Sequence, residues 1–164
     1  MRKAVFDILD SLNIEYEVTD HPAVFTIEEM DKLGYGYKGE VVKNLFLRDD
    51  KKKNFYILTL CREKRANLKE LRVMLDSRPI TFASEESLFE ILKLQRGAVT
   101  PFGIINDVER KVRVILDKDI FKFEKIGVHP NDNTASVWLN PYDLKKVIEN
   151  NGNEILIFCL TATV

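Results

Sequence analysis

Apolar positions along the chain recur with two different periods, and the changes between them mark out the elements. Val5, Ile8, Leu9 and Leu12 follow helical spacing and predict an opening helix over residues 3–12. Residues 15–19 alternate like a strand, stopped before His21-Pro22. Thr26 with Glu29 makes a capping box for a short helix ending near Gly34, and the glycine-rich stretch 34–39 predicts a loop. Two apolar runs, 41–48 and 55–61, flank the polar tip Asp49-Asp50-Lys51-Lys52-Lys53-Asn54 and predict a hairpin. Asn67 with Glu70 caps a helix to about Leu75, and residues 79–82 form a brief strand. Ser84 opens a helix whose buried stripe is Leu88, Ile91 and Leu92.

The second half continues the mixture. Residues 97–103 predict an irregular loop, and 111–116 and 126–128 predict strands. A polar turn over 129–134 leads into a strand at 135–139. Asn140 caps a helix with Pro141 at its first position, Gly152 closes it, and residues 154–158 form a last strand. Hairpins are evident and no regular strand–helix period runs throughout, so an α+β domain with a mixed sheet is expected. It should occupy residues 1–160, with 161–164 a frayed end.

A length of 164 residues is enough for one domain to bury a core without disulfides or a structural metal. Cys61 and Cys159 both end apolar runs and read as buried structural thiols. Two histidines and two distant cysteines give no metal-ligand spacing, so neither a metal nor a cofactor is expected. No apolar run is long enough to cross a membrane. The N-terminus lacks the pattern of a signal peptide, so the expected location is cytoplasmic. The net charge of −1 conceals an asymmetry: residues 43–78 hold eleven Lys/Arg against five Asp/Glu. Such a stretch can attract a polyanion, or can simply be a hairpin tip and a helix face in water.

The common hydrolytic and nucleotide-binding motifs are missing. There is no phosphate-binding glycine loop, no H-E-x-x-H and no G-x-S-x-G elbow. Three segments nevertheless interrupt apolar elements with polar groups. Lys43 shares one strand face with Leu45 and Leu47, with Asn44 and Phe46 on the other. Such a lysine either reaches water or points into a cleft. The loop from Gly97 through Thr100 and Pro101 to Gly103 could bring main-chain N–H groups to a ligand, or be only a tight connection. The turn from His129 through Asn133 could position a polar substrate group, or merely bond its own backbone.

Taken in order, these segments resemble the YbaK/ProX superfamily of trans-editing aminoacyl-tRNA deacylases, free-standing relatives of the prolyl-tRNA synthetase editing domain. The resemblance runs from His21-Pro22-Ala23-Val24-Phe25 through Val42-Lys43-Asn44-Leu45-Phe46-Leu47 and Gly97-Ala98-Val99-Thr100-Pro101 to His129-Pro130 and Asn133-Thr134. It is nearest to the ProX/PrdX branch, which clears alanine from the tRNA for proline. It implies a mixed, partly barrel-like sheet surrounded by helices, with Lys43 as the key catalytic residue. It also implies the aminoacylated acceptor end of tRNA as partner, with prolyl-tRNA synthetase a candidate further one.

An aminoacyl ester is activated, so placing water or a ribose hydroxyl and stabilising the carbonyl oxygen could suffice. On that basis Lys43 anchors the carbonyl or ribose electrostatically, and His129 positions the substrate or the attacking group. Asn44, Gly97, Thr100, Pro101, Asn133, Phe25 and Ile27 are candidates for the aminoacyl pocket. Arg48, Lys64, Arg65 and Arg78 are candidates for phosphate contact. The alternatives are a deacylase for another mischarged amino acid, such as cysteinyl-tRNA for proline, and a non-catalytic aminoacyl-tRNA sensing module.

Overall fold

The computed structural model describes residues 2–161. Helix α1 (Arg2–Ser11) buries Val5 and Leu9, and strand β1 (Tyr16–Asp20) follows it. Helix α2 (Ile27–Leu33) starts where the capping box places it. The Thr26 side chain accepts from the Glu29 N–H, while the Glu29 carboxylate accepts from the Phe25 N–H, one residue earlier than in the standard box. Strands β2 (Glu40–Asp49) and β3 (Phe55–Cys61) form the predicted hairpin, followed by α3 (Leu68–Leu75) and β4 (Ile80–Phe82). Helix α4 (Glu85–Leu92) is capped by Ser84. Then come β5 (Val112–Asp117), β6 (Ile126–Val128), β7 (Ala135–Leu139), α5 (Pro141–Asn151) and β8 (Ile155–Phe158).

Two short 3-10 turns were not predicted. Pro101–Asn106 turns part of the expected irregular loop into a helical one, with Thr100 as its cap. Lys118–Lys122 follows β5 and is capped by Asp117. Neither has the length from which a hydrophobic period could be read. Of the expected end at 161–164, residues 162–164 lie outside the described residues.

The strands form one mixed sheet in the order β1-β7-β6-β2-β3-β5-β8, with β4 also paired to β2. Among the described residues β1 and β8 end this path of paired strands. Every residue of β3 is buried, because both faces of the sheet are covered at its centre. Phe55, Ile57 and Cys61 face the larger cluster, with Phe102, Leu144 and Ile148. Tyr56, Leu58 and Leu60 face the smaller one, with Leu71 of α3 and Ile115.

Strand β2 carries the feature that creates a cleft. One edge pairs with β3 from Val42 to Arg48. The other edge meets β6 in parallel only at Glu40 and Val41, and β4 antiparallel only from Leu47 to Asp49. Among the described residues no strand pairs with residues 42–45 on that side. The Glu40 N–H donates to the Lys125 carbonyl, and the Phe46 carbonyl accepts from the Ala83 N–H, so even-numbered residues turn their main chain toward this edge. The main-chain N–H and C=O of Asn44 therefore face the gap.

Candidate active site

A cavity of about 360 Å³ opens at this gap, within the size range of sites for small ligands. Because it borders a strand edge, residues from both faces of β2 line it: Val42 and Asn44 from one, Lys43 and Leu45 from the other. The segment entering α2 supplies Val24, Phe25 and Thr26, and the first turn of α2 supplies Ile27, Glu28 and Met30. Gly97 and Val99 come from the glycine loop, and Gly127, Val128 and His129 continue from β6. Arg62 and Ser136 complete the wall. Of the sequence candidates, the fold therefore brings together Lys43, Asn44, His129, Gly97, Phe25 and Ile27.

The face assignment of β2 explains the state of Lys43. Leu47 and Leu45 pack with the α3-side cluster, whereas Val42 and Phe46 belong to the opposite one. Lys43 thus leaves β2 on the α3 side, and its ammonium donates to the main-chain carbonyl of Lys64. Among the described residues no carboxylate pairs with it. Asn44, on the other face, accepts at Oδ1 from the Thr59 hydroxyl at 2.6 Å, which fixes its amide over the neighbouring strand.

His129 is held from one side. Its Nδ1 lies 2.8 Å from the Ala135 carbonyl, which can only accept, so Nδ1 carries the proton and Nε2 keeps a lone pair. Burial pushes its pKa below the ordinary histidine value; the Ala135 carbonyl opposes that shift and nearby His21 adds to it. Neutral imidazole is therefore the form present near pH 7.

His21 and Ser136 form a pair whose importance the sequence did not reveal. The His21 Nδ1 donates to the Pro22 carbonyl at 2.9 Å, and its Nε2 lies within hydrogen-bond distance of the Ser136 hydroxyl, at 3.0 Å. The ring lies 6.0 Å from that of His129, centroid to centroid. Ser136 escaped notice because its strand otherwise reads as uniformly buried. Arg62 escaped because a cation in the run Arg62-Glu63-Lys64-Arg65 is indistinguishable from a solvated one.

Gly97 has a structural reason to be glycine. Its φ is +87°, and an added Cβ would collide with the ring of Phe25. The half-exposed Phe25 thus lies against the loop and closes one side of the cavity.

Other candidates have different places. Thr100 is fully buried, and its hydroxyl accepts from the Phe102 N–H, so it is spent capping the 3-10 turn. Pro101 is buried at the start of that turn and does not line the cavity. Asn133 donates from Nδ2 to the Val24 carbonyl at 2.8 Å and laces the turn to the segment entering α2. Arg2 braces the same turn, donating to Asp132 and to the Thr134 hydroxyl.

The expected phosphate contacts need correction at Lys64. Its side chain is 4% exposed and its ammonium donates to Asp117 at 2.9 Å, Asp119 at 2.7 Å and the Leu160 carbonyl at 3.0 Å. All three protons are used, and its charge is neutralised inside the protein. Burial works against this ammonium, but the bonds to Asp119 and Asp117 outweigh it and raise the pKa. Arg78 pairs with Asp50 through two bonds at the hairpin tip, and Arg48 donates to the Asp49 carbonyl. Arg65 is exposed, and Arg48, Lys64, Arg65 and Arg78 all lie outside the cavity lining.

The cysteines also divide. Cys61 is buried, and burial together with nearby Asp117 pushes its thiol up to about 12. Cys159 is exposed, because it follows the last residue of β8 at the end of the sheet. Among the described residues there is no cluster of three or more His, Cys, Asp or Glu able to hold a metal ion, and no helix is long and apolar enough to cross a membrane.

Known proteins resemble the chain in sequence and in fold. Residues 21–147 match the aminoacyl-tRNA editing domain family. The prolyl-tRNA editing protein ProX of Acetoanaerobium sticklandii is 42% identical over 152 residues, 93% of each chain. The prolyl-tRNA synthetase associated domain-containing protein 1 of Bos taurus is 35% identical over 161 residues, 96% of this chain and 94% of the relative. In fold, the chain superimposes on a solved structure described as a candidate trans-editing enzyme for prolyl tRNA synthetase. The TM-score is 0.69 at 19% identity, covering 95% of this chain and 94% of the other. This chain belongs to the aminoacyl-tRNA editing domain family, a family of deacylases.

Proposed function

We propose that this chain hydrolyses the ester of alanyl-tRNA for proline, acting as a free-standing editing enzyme. The observation that carries the reading is the meeting of Lys43 and neutral His129 in one cavity, at an unpaired stretch of β2 beside the Gly97 loop.

The chemistry follows from what each group has left to give. Lys43 has an ammonium bonded to a neutral carbonyl, so its positive charge is uncompensated and can transfer to the ester carbonyl or the terminal ribose. His129 offers a lone pair on Nε2, suited to accept the proton of an attacking water or of the adjacent ribose hydroxyl. The main chain of Asn44 at the open edge supplies a donor and an acceptor for the aminoacyl group. The walls formed by Phe25, Ile27, Val42, Val99 and Val128 suit a small apolar side chain. A size sieve that rejects proline completes the discrimination, since a proline-sized synthetase pocket cannot strongly reject alanine. The aminoacylated acceptor end is then the partner, with prolyl-tRNA synthetase as the source of the mischarged product.

The test is deacylation of the tRNA for proline charged with alanine, cysteine or proline. Release of alanine at a rate well above the other two is expected. Preference for cysteine would reassign the substrate, and binding without turnover of any ester would make the chain a sensing module.

A further inference from the structure

We infer that Arg62 is a phosphate-binding residue, reading the phosphodiester that joins the terminal nucleotide of the substrate to the rest of the tRNA; the assignment rests on the function proposed above. Arg62 immediately follows β3, whose last residue, Cys61, is the register partner of Val42. One residue past that pair it falls across from Val41, on the strand face that carries Lys43, and Lys43 and Arg62 are the lysine and arginine among the residues that line the cavity.

Unlike Lys64, Arg62 is not sealed in. About a third of its side chain is exposed (31%), and it makes a two-pronged pair with Asp31 of α2, at 2.7 Å and 3.2 Å. Asp31 is not part of the cavity wall and also accepts from the Tyr37 hydroxyl. The hydrogen bond from Arg62 and then that from Tyr37 hold its carboxyl below the usual range, so the pair is fully ionised near neutral pH. A carboxylate gripped by both prongs of a guanidinium occupies the place that two phosphate oxygens would take.

Substrate geometry puts an anion there. With the aminoacyl group in the cavity, the terminal ribose lies at its mouth, and that nucleotide's phosphate is one sugar away from the reacting ester. A cation is needed at the lip rather than in the depth. Arg62 meets that requirement by exchanging Asp31 for the phosphate. The exchange swaps one charged partner for another and leaves no buried charge unpaired.

The experiment uses the full chain and two forms of an alanine-charged minihelix of the tRNA for proline. One form is unmodified; the other has an uncharged methylphosphonate in place of the last phosphodiester. For the wild type, kcat/KM should fall about tenfold on the modified form, as expected for losing a charge-assisted contact. Arg62→Ala should lose about as much on the unmodified form, through KM, and little more when the phosphate is also neutralised. Asp31→Asn, which removes the competitor, should keep or lower KM. Equal losses from Arg62→Ala on both forms, or matching losses from Arg62→Ala and Asp31→Asn, would show the pair to be only a staple for α2 and overturn the assignment. Failure of the wild type to hydrolyse the unmodified minihelix would instead sink the function on which it rests.

Discussion

Two lysines, Lys43 and Lys64, touch each other through one hydrogen bond and are in opposite electrostatic states. Lys64 is enclosed, with Asp117, Asp119 and the Leu160 carbonyl taking its three protons. Lys43 borders the cavity and rests on a single neutral acceptor, the carbonyl of Lys64 itself. The first charge is neutralised and ties the β3–α3 connection to β5 and to the chain beyond β8. The second has no carboxylate partner among the described residues and borders the cavity. The difference teaches that a local excess of basic residues says little about anion binding until each cation's partner is known. Within the basic stretch 43–78, Arg62, Lys64 and Arg78 are held by carboxylates of the protein.

The contrast can be broken most forcefully at Lys64. Lys64→Met leaves Asp117 buried without its counter-ion, and should cost about 3–5 kcal/mol in urea unfolding. A loss under about 1 kcal/mol would show that water already compensates the carboxylate. Lys43→Ala should behave in the opposite way. Its unfolding midpoint should barely move, while single-turnover deacylation falls on the order of a hundredfold or more. An intact rate would remove Lys43 from the mechanism.

Gly97→Ala tests the opposite wall of the same cavity. A non-glycine at φ +87° is strained and displaces Phe25. It should destabilise the protein by about 1–3 kcal/mol and raise KM for the charged tRNA more than it lowers kcat. An unchanged KM would mean that Phe25 does not shape the bound state.

The pH dependence separates the two regions again. The proposed mechanism uses His129 as a neutral base, and its pKa is lowered by burial. The acid limb of kcat/KM should therefore fall below the ordinary histidine value of about 6.5, and His129→Asn should abolish it. An acid limb at or above that value would place the titration elsewhere.

Asp119 should give the smallest effect. Bonds from Lys64 and then Lys122 hold its carboxyl at about 2. A depressed carboxyl adds stability above its unfolded value of about 3.9, and that contribution is lost as pH falls through about 2. The effect is modest because its side chain is 36% exposed. Asp119→Asn should flatten acid unfolding slightly between about pH 4 and pH 2, and a slope equal to that of the wild type would contradict it.

The sequence by itself determined most of the elements. Short-range physics sets them: the side-chain caps at Thr26, Asn67, Ser84 and Asn140, the apolar run of β3, the helical period of α1, and the Pro141 start and Gly152 stop of α5. It also marked Lys43 as odd, since alternation put a charge among leucines. Polar interruptions marked the Gly97 loop and the His129 turn, and the resemblance to editing domains favoured their functional reading over a plain connection and a plain turn. Both lie in the cavity with Lys43.

Only the tertiary structure decided which polar groups were already taken. Thr100 and Asn133 looked like ligand groups and are spent on a turn cap and a backbone carbonyl. Lys64 and Arg62 are two residues apart in one charged run, yet one is sealed by carboxylates from β5 and the turn after it, and the other is partly exposed and lines the cavity. Partners such as Asp117, more than fifty residues away, leave no periodic trace in the chain. The cleft itself is equally non-local. It exists because β6 and β4 each cover only one end of the same edge of β2, and that shortfall is a matter of strand pairing, not of any residue in β2.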